Sequence, residues 1–514
     1  MENIDHGSKR RIARGVAWAG ASNWGSQLLS FCIYTGLARL LSPQAFGQVA
    51  IAGVYLAFIQ VLVSQGFGMA IIQRRELDEE HLDSAFWIAV ATAGFFCVLS
   101  LLLARTIAHF FHEPRVAPVI EWLSLSLLFY SLSSVPMAVL TRELNFRALA
   151  VRSLAATVAG GVVGLTMAFH GWGVWSLVGQ QLVNAFLGCI CLWWAVPWRP
   201  RLQISRRHVR DLYAFSLSLT GNDILWFFSQ RSDQTLVGHG FGPVGLGPYT
   251  LASRISNLLV DGVNVPLQSV AFPAFSKLQS GSAKFERALC RFCEMSSFVA
   301  LPAFAGIIVV APELVPWLFG AKWASAVPIL QILAVYGALR VALAFVHPTM
   351  LAKGRTGLYL ALFIIHASLT FLGCFAAVRW SPAAIALSLI VTSGLFAVFA
   401  VILISVNVVG IGPSKLVGSF VFPAFSCLFM VAVVTVVRLL VIRHFGPIVT
   451  IVSCVVTGVA VYTITAFYVR NDLLKEIWDM LAHLWSPLWG RRPEDVPSQS
   501  RKHTAVGSPR LSED

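Results

Sequence analysis

Residues 38–60 read ARLLSPQAFGQVAIAGVYLAFIQ. An apolar run reaches this stretch from Val16 and ends at Leu41, and a second begins at Val49 and continues to Ile72. Between them lies a short turn rich in glycine and aromatic side chains. A bilayer-spanning helix needs roughly 20 mostly apolar residues, so the stretch predicts two membrane helices joined by a tight turn.

The same arrangement recurs at residues 236–257, LVGHGFGPVGLGPYTLASRISN, where Gly247 stands 200 residues after Gly47. There Leu212–Val237 forms the run before the turn and Leu246–Ala271 the run after it. Working outward from these two turns, fourteen runs qualify as spans, the last two being Leu416–Leu440 and Pro447–Val469. The predicted fold is an all-α membrane protein of about fourteen transmembrane helices, two six-helix lobes plus two extra helices. The lobes are residues 1–200 and 201–411, joined by the basic linker WRPRLQISRRHVRD from Trp198 to Asp211; residues 412–470 hold the added pair. Each lobe has an even number of spans and so begins on the same side. Parallel repeats of this kind relate by an axis along the membrane normal and enclose a substrate site near the midplane.

Composition agrees. The chain has 514 residues, 57% hydrophobic and only 12% charged, where a soluble domain carries about 25% charged residues. Mean hydropathy is +0.74. The net charge of +14 would suggest nucleic acid in a soluble protein. Here it reports topology instead, and no arginine–aromatic module for nucleic acid is present. With the N-terminus in the cytoplasm, the inner loops and leading segment hold twenty Lys and Arg, whereas the outer loops hold four: Arg115, Lys322, Arg379 and Arg443. That asymmetry predicts a multi-pass protein of the inner membrane with both termini cytoplasmic. The first run lacks a cleavage site and reads as a signal anchor. Residues 471–514 read as a cytoplasmic tail opening with an amphipathic helix, its Leu473, Leu474, Ile477, Leu481, Leu484 and Leu488 at helical spacing. The nine cysteines include one CxxC pair, Cys290 and Cys293, with no second pair to complete a metal site; they read as small apolar side chains.

Polar side chains inside spans are costly and usually face a cavity. The eighth span carries Arg254, Asn257, Asp261 and Asn264, spaced three, four and three apart and therefore on one helix face. The seventh carries Asn222, Asp223, Gln230, Arg231 and Asp233, the first Asn23, Gln27 and Arg39, the second Gln60 and Gln65, and the tenth Arg340 and His347. These predict a water-filled cavity walled by spans one, two, seven and eight. Its guanidinium groups suit phosphate oxygens; internal pairing is the competing explanation. Pro136, Pro266, Pro273, Pro302 and Pro348 are candidate kinks. No phosphate-binding loop, HExxH or GxSxG stands in a suitable context, so no enzyme activity and no cofactor is expected.

The order of motifs from Arg231 to Gly238, Leu246 to Tyr249 and Phe272 to Ser276, with Ala38 to Gly47 in the first lobe, resembles the bacterial polysaccharide exporters. These form the Wzx-type, colanic-acid-exporter-like branch of the multidrug/oligosaccharidyl-lipid/polysaccharide exporter superfamily. The resemblance covers residues 8 to 470. It implies a V-shaped pair of lobes alternating between inward and outward openings. It also implies a flippase for undecaprenyl-pyrophosphate-linked oligosaccharide, serving exopolysaccharide, capsule or O-antigen (lipopolysaccharide) synthesis. Implied partners are the lipid-linked substrate, membrane lipids, and a polysaccharide polymerase and glycosyltransferases. By the same resemblance Arg231 and Asp233 meet the substrate, and spans thirteen and fourteen form a lipid-tail groove. A cation-coupled multidrug exporter of the superfamily is one alternative, though it calls for acidic residues in the first spans and Val16–Ile72 has none. A non-transporting component of a polysaccharide synthesis complex is another.

Overall fold

The computed structural model describes residues 25–64, 67–73, 78–203, 206–278, 282–410, 412–442 and 444–470. Asn23, Gln65, the start of the first span and the tail beyond Arg470 lie outside them. Among the described residues every regular element is helical. Helix α1 (25–40) is followed by α2 (Pro43–Ser64), α3 (Phe67–Gln73), α4 (Glu79–Phe110), α5 (Val116–Arg142), α6 (Phe146–Phe169) and α7 (Val174–Ala195). Then come α8 (Arg206–Lys277), α9 (Ser282–Phe319), α10 (Ala326–Ala342), α11 (Val346–Ala352), α12 (Thr356–Ala377), α13 (Pro382–Leu403), α14 (Pro413–Val441) and α15 (Pro447–Val469). Twelve spans by length and apolarity lie among the described residues, with α10 and α11 counted as one.

The longest of them is two spans. Gly242, inside α8, has φ 60°, a backbone that glycine adopts without steric cost. The chain reverses there: Asp233 and Tyr249, separated by 16 positions, meet at 2.7 Å, whereas a straight helix would hold them about 24 Å apart. Counting α8 as two and adding α1 gives the predicted fourteen.

Other irregularities have local causes. The helices continue through Pro136, Pro266, Pro273 and Pro302. At Pro348 the predicted tenth span does break, at 343–345 between α10 and α11. Proline has no N–H for the carbonyl four residues earlier, and that carbonyl, of Ala344, instead accepts from Gln268 Nε2 of α8 at 3.2 Å. The twelfth span ends in a π turn, Ile404–Val409, before Gly410 at φ 75°. The linker after α7 is pinned to α4. The Arg201 amide donates to Asp83 Oδ1, its carbonyl accepts from Trp87 Nε1, and its guanidinium meets Glu79 at 3.1 Å.

Core packing divides unevenly between the two ends of the molecule. At the Lys/Arg-poor end one cluster is shared between the helices before and after the linker, including Leu37, Phe46, Phe111, Leu246, Phe319, Trp323 and Ile385. At the Lys/Arg-rich end the buried clusters are separate. One joins Ile71, Phe86 and Val135 of the first helices; the other joins Phe275, Phe285 and Phe345 of the later ones.

The repeat-related turns meet inside the shared region. A Cβ added at Gly47 would fall on the carbonyl oxygen of Pro243, and one added at Gly247 would fall on that of Pro43. The two contacts are reciprocal, and each residue is offset by the same interval from its counterpart. Only two glycines let α2 and the second half of α8 cross at backbone distance.

Helices α14 and α15 pack on α9. Their charges are paired at both ends. Arg438 binds Glu313 through both Nε and Nη2 at 2.8–3.0 Å, and Lys415 meets Glu286 at 2.8 Å and Arg470 meets Glu294 at 2.6 Å.

Candidate functional site

The second half of α8 packs on α2 and on α9–α11, and its remaining face is exposed. On α12–α15 exposed positions are apolar, as at Phe371, Leu395, Phe425 and Val456, which suits lipid. On the second half of α8 the exposed positions include Arg254, Asn257, Asp261 and Gln268, with the apolar Val265, Val270 and Phe272 exposed towards its end. The charged part of that face would be costly against hydrocarbon, which makes it a candidate cleft face between the helices before and after the linker. Arg254 lies eleven residues from the helix start at Pro243, roughly 17 Å along the axis, which is about the middle of a 30 Å hydrocarbon layer.

The arginines differ in what they hold. Arg340 Nη1 donates to Asn257 Oδ1 at 2.6 Å and its guanidinium lies 5.8 Å from the Tyr336 ring centroid. Arg231 Nη1 donates to Gln234 Oε1 at 2.7 Å on its own helix. Arg254 has its guanidinium over the ring of Tyr34 from α1, at 5.0 Å, with no hydrogen bond or ion pair to the described residues. A ring covers one face of the guanidinium and leaves its edge N–H groups free. Arg254 is therefore the cleft arginine with no hydrogen-bonded partner among the described residues.

Beside the cleft, a polar cavity of about 40 Å³ is lined by Asp233, Gln234, Ser253, Asn257, Tyr336 and Arg340, among others. It has room for a few waters, far less than a sugar needs. Asp233 accepts from the Tyr249 hydroxyl, and Ser256 Oγ donates to the Leu333 carbonyl at 2.9 Å. The structure thus gathers Asp233, Asn257 and Arg340 around one cavity, with Arg231 alongside through Gln234. It sets Arg254 and Asp261 on the open cleft face. Gln60 is exposed on α2, and Gln27 and Asn264 are half-buried.

Arg39 stands apart. Its guanidinium donates to the carbonyls of Trp317 and Leu318 at the end of α9, and its own carbonyl accepts from Lys322 Nζ at 2.8 Å. Trp323 Nε1 donates to the neighbouring Ala38 carbonyl at 2.9 Å. Desolvation draws the Lys322 ammonium below the usual lysine range. Arg39 thus fastens α1 to α9 at the Lys/Arg-poor end, where a cation favourably meets helix-terminal carbonyls.

Tyr34, Tyr336, Gln234 and Ser253 were not singled out from sequence. Tyr34 and Tyr336 look like ordinary apolar-run aromatics, and only the approach of a guanidinium marks them.

A family profile described as "Polysaccharide biosynthesis protein" matches residues 37–328, more than half of the chain. The chain belongs to this family. Within this polysaccharide biosynthesis protein family, the chain is 28% identical over 326 residues to the succinoglycan biosynthesis transport protein ExoT of Rhizobium meliloti (strain 1021). That match covers 63% of this chain and 66% of ExoT, slightly under two thirds of its length. It is 26% identical over 351 residues to the lipopolysaccharide biosynthesis protein WzxC of Escherichia coli (strain K12), covering 68% of this chain and 71% of WzxC. The fold is similar to that of the lipid II flippase MurJ in an inward closed conformation, with TM-score 0.72, 14% identity, and coverage of 89% of this chain and 99% of that one. An inward-facing MATE-family transporter of the MOP superfamily matches with TM-score 0.58 at 16% identity, over 73% of this chain and 92% of that one. The chain is a multi-pass membrane protein of the polysaccharide biosynthesis protein family, and its fold is similar to those of MurJ and the MATE transporter.

Proposed function

We propose that this protein is a flippase that carries an undecaprenyl-pyrophosphate-linked oligosaccharide from the cytoplasmic to the periplasmic leaflet, serving surface polysaccharide synthesis. The observation that carries the reading is the exposed guanidinium of Arg254, which rests on the Tyr34 ring with no hydrogen-bonded partner among the described residues. A forked donor there recognises a pyrophosphate, which a lipid-linked sugar must bring through the apolar layer. Asn257, Asp261 and Gln268 on the same face offer hydrogen bonds to sugar hydroxyls.

The Lys/Arg-rich end is cytoplasmic in this reading. Residues 1–200 and 201–411 act as two lobes. Separate cores at the cytoplasmic end and a shared core at the periplasmic end make the cytoplasmic end the more weakly joined of the two, with α3 still meeting α8 there. Transport then requires the glycine crossing of Gly47 and Gly247 to part while the cytoplasmic ends close. The name of ExoT supports polysaccharide transport as the setting and that of WzxC polysaccharide biosynthesis, with a polymerase and glycosyltransferases as neighbours in the pathway.

The test is complementation. A deletion strain loses its surface polysaccharide, the intact gene restores it, and Arg254→Ala at equal membrane abundance does not. Unchanged polysaccharide in the deletion strain, or full restoration by Arg254→Ala, refutes the assignment.

A further inference from the structure

At the Lys/Arg-poor end one contact between the helices before and after the linker is made by histidines. Helix α4 ends at Phe110, and the amides of Phe111, His112 and Glu113 close its last turn on the carbonyls of Ile107, His109 and Ala108. His112 consequently sits just past the helix end with φ 55°. Glycine or asparagine usually fills that left-handed position, and another residue there is strained. The imidazole occupying it lies beside His239 of α8, with ring centroids 5.3 Å apart and planes at 50°.

His239 is itself held in place. Its ring stacks on Phe110 at 4.5 Å, and its Nδ1 lies 2.9 Å from the Phe110 carbonyl oxygen. A carbonyl only accepts, so Nδ1 carries the proton and Nε2 presents a lone pair. Metal-binding histidines are oriented in this way, the other ring N–H donating to a backbone carbonyl. The ring separation of 5.3 Å is within reach of two imidazoles sharing one ion through zinc–nitrogen bonds of about 2.0–2.1 Å.

We propose that His112 and His239 form a two-histidine site for a divalent transition-metal ion, with zinc as the best match to imidazole ligands and tetrahedral geometry. No cluster of three or more His, Cys, Asp or Glu that could hold a metal occurs among the described residues. Water therefore completes the coordination, and the ion is exchangeable rather than a folding centre. The ligands come from the two sides of the contact that must part at the periplasmic end, so a bound ion holds that end shut. This consequence rests on the transport reading; the metal site does not.

The test is calorimetric titration of the purified full-length protein with zinc chloride. One zinc-binding event is expected in the wild type and in His170→Ala. Loss of outer partners alone weakens metal sites roughly 10- to 100-fold, and both His239→Ala and His112→Gly should weaken binding at least that much. His112→Gly relieves the left-handed strain, so its thermal stability should hold or rise, which separates lost binding from lost folding. Zinc binding unchanged in both variants, or abolished by His170→Ala, overturns the site. In cells, zinc should suppress polysaccharide export by the wild type and not by His112→Gly. If zinc binds through the two histidines yet leaves export untouched, the site stands and its gating role fails.

Discussion

Four arginines were candidates for meeting the substrate, and their hydrogen bonds separate them. Arg39 serves carbonyls at the end of α9, Arg231 serves Gln234 and Arg340 serves Asn257, which leaves Arg254. Its planar fork can engage two phosphate oxygens at once, and a lysine ammonium cannot. Arg254→Lys should therefore restore only part of the surface polysaccharide that Arg254→Ala loses, measured by quantifying polysaccharide at matched protein levels. The neighbouring Asp233 depends on one donor side chain, the hydroxyl of the fully buried Tyr249. Tyr249→Phe should destabilise the protein by about 1–3 kcal/mol, read as a lowered unfolding midpoint in detergent. A variant as stable as the wild type would show that this hydrogen bond adds nothing net.

Among elements, the crossing of α2 with the second half of α8 is the most demanding sterically. Gly47 and Gly247 face backbone carbonyls that have no rotamer with which to yield. Gly47→Ala should force the two helices apart and cost about 1–3 kcal/mol or more. Gly53→Ala, six residues further along α2 with nothing within 4 Å, should be neutral or slightly stabilising because alanine favours helix. Thermal unfolding of the two variants side by side tests this, and equal midpoints would contradict the crossing. The break between α10 and α11 follows the same logic of backbone groups. Pro348 orphans the Ala344 carbonyl, and Gln268 supplies the missing donor from another helix.

For the whole molecule, the added helices α14 and α15 behave as part of the later helices. Glu313 is buried, with its side chain 7% exposed, and Arg438 covers it bidentately. Removing one member of a buried pair strands the other charge, at a cost of about 3–5 kcal/mol. Arg438→Ala should therefore lower the unfolding midpoint sharply, and the double replacement Arg438→Met with Glu313→Leu should recover most of the loss. If the double replacement is no better than Arg438→Ala, the pair's charges are not what matters. The unequal cores belong to this scale too: the helices before and after the linker share an apolar cluster at one end and keep separate clusters at the other.

The helical membrane fold and the number of spans could be read from the chain alone, because hydrocarbon thickness imposes a length and a composition on each span regardless of its neighbours. The turn at Ala38–Gln60 and its counterpart at Leu236–Asn257 were legible for the same reason, since glycine content reports a backbone requirement. The residues of the polar stripe on α8 were visible through their spacing. What each polar group does was decided only by tertiary structure. Asp233 and Tyr249 meet because Gly242 reverses the chain, Arg39 finds carbonyls nearly three hundred residues away, and Arg254 is left over because it meets the ring of Tyr34 and not an acceptor atom. Hydrogen bonds and ion pairs between helices depend on crossing geometry, and periodicity within a single helix carries no information about it. The turn that opened the reading proved to be one half of a contact, and its partner could be recognised only when Gly47 and Gly247 were found facing each other's proline carbonyls.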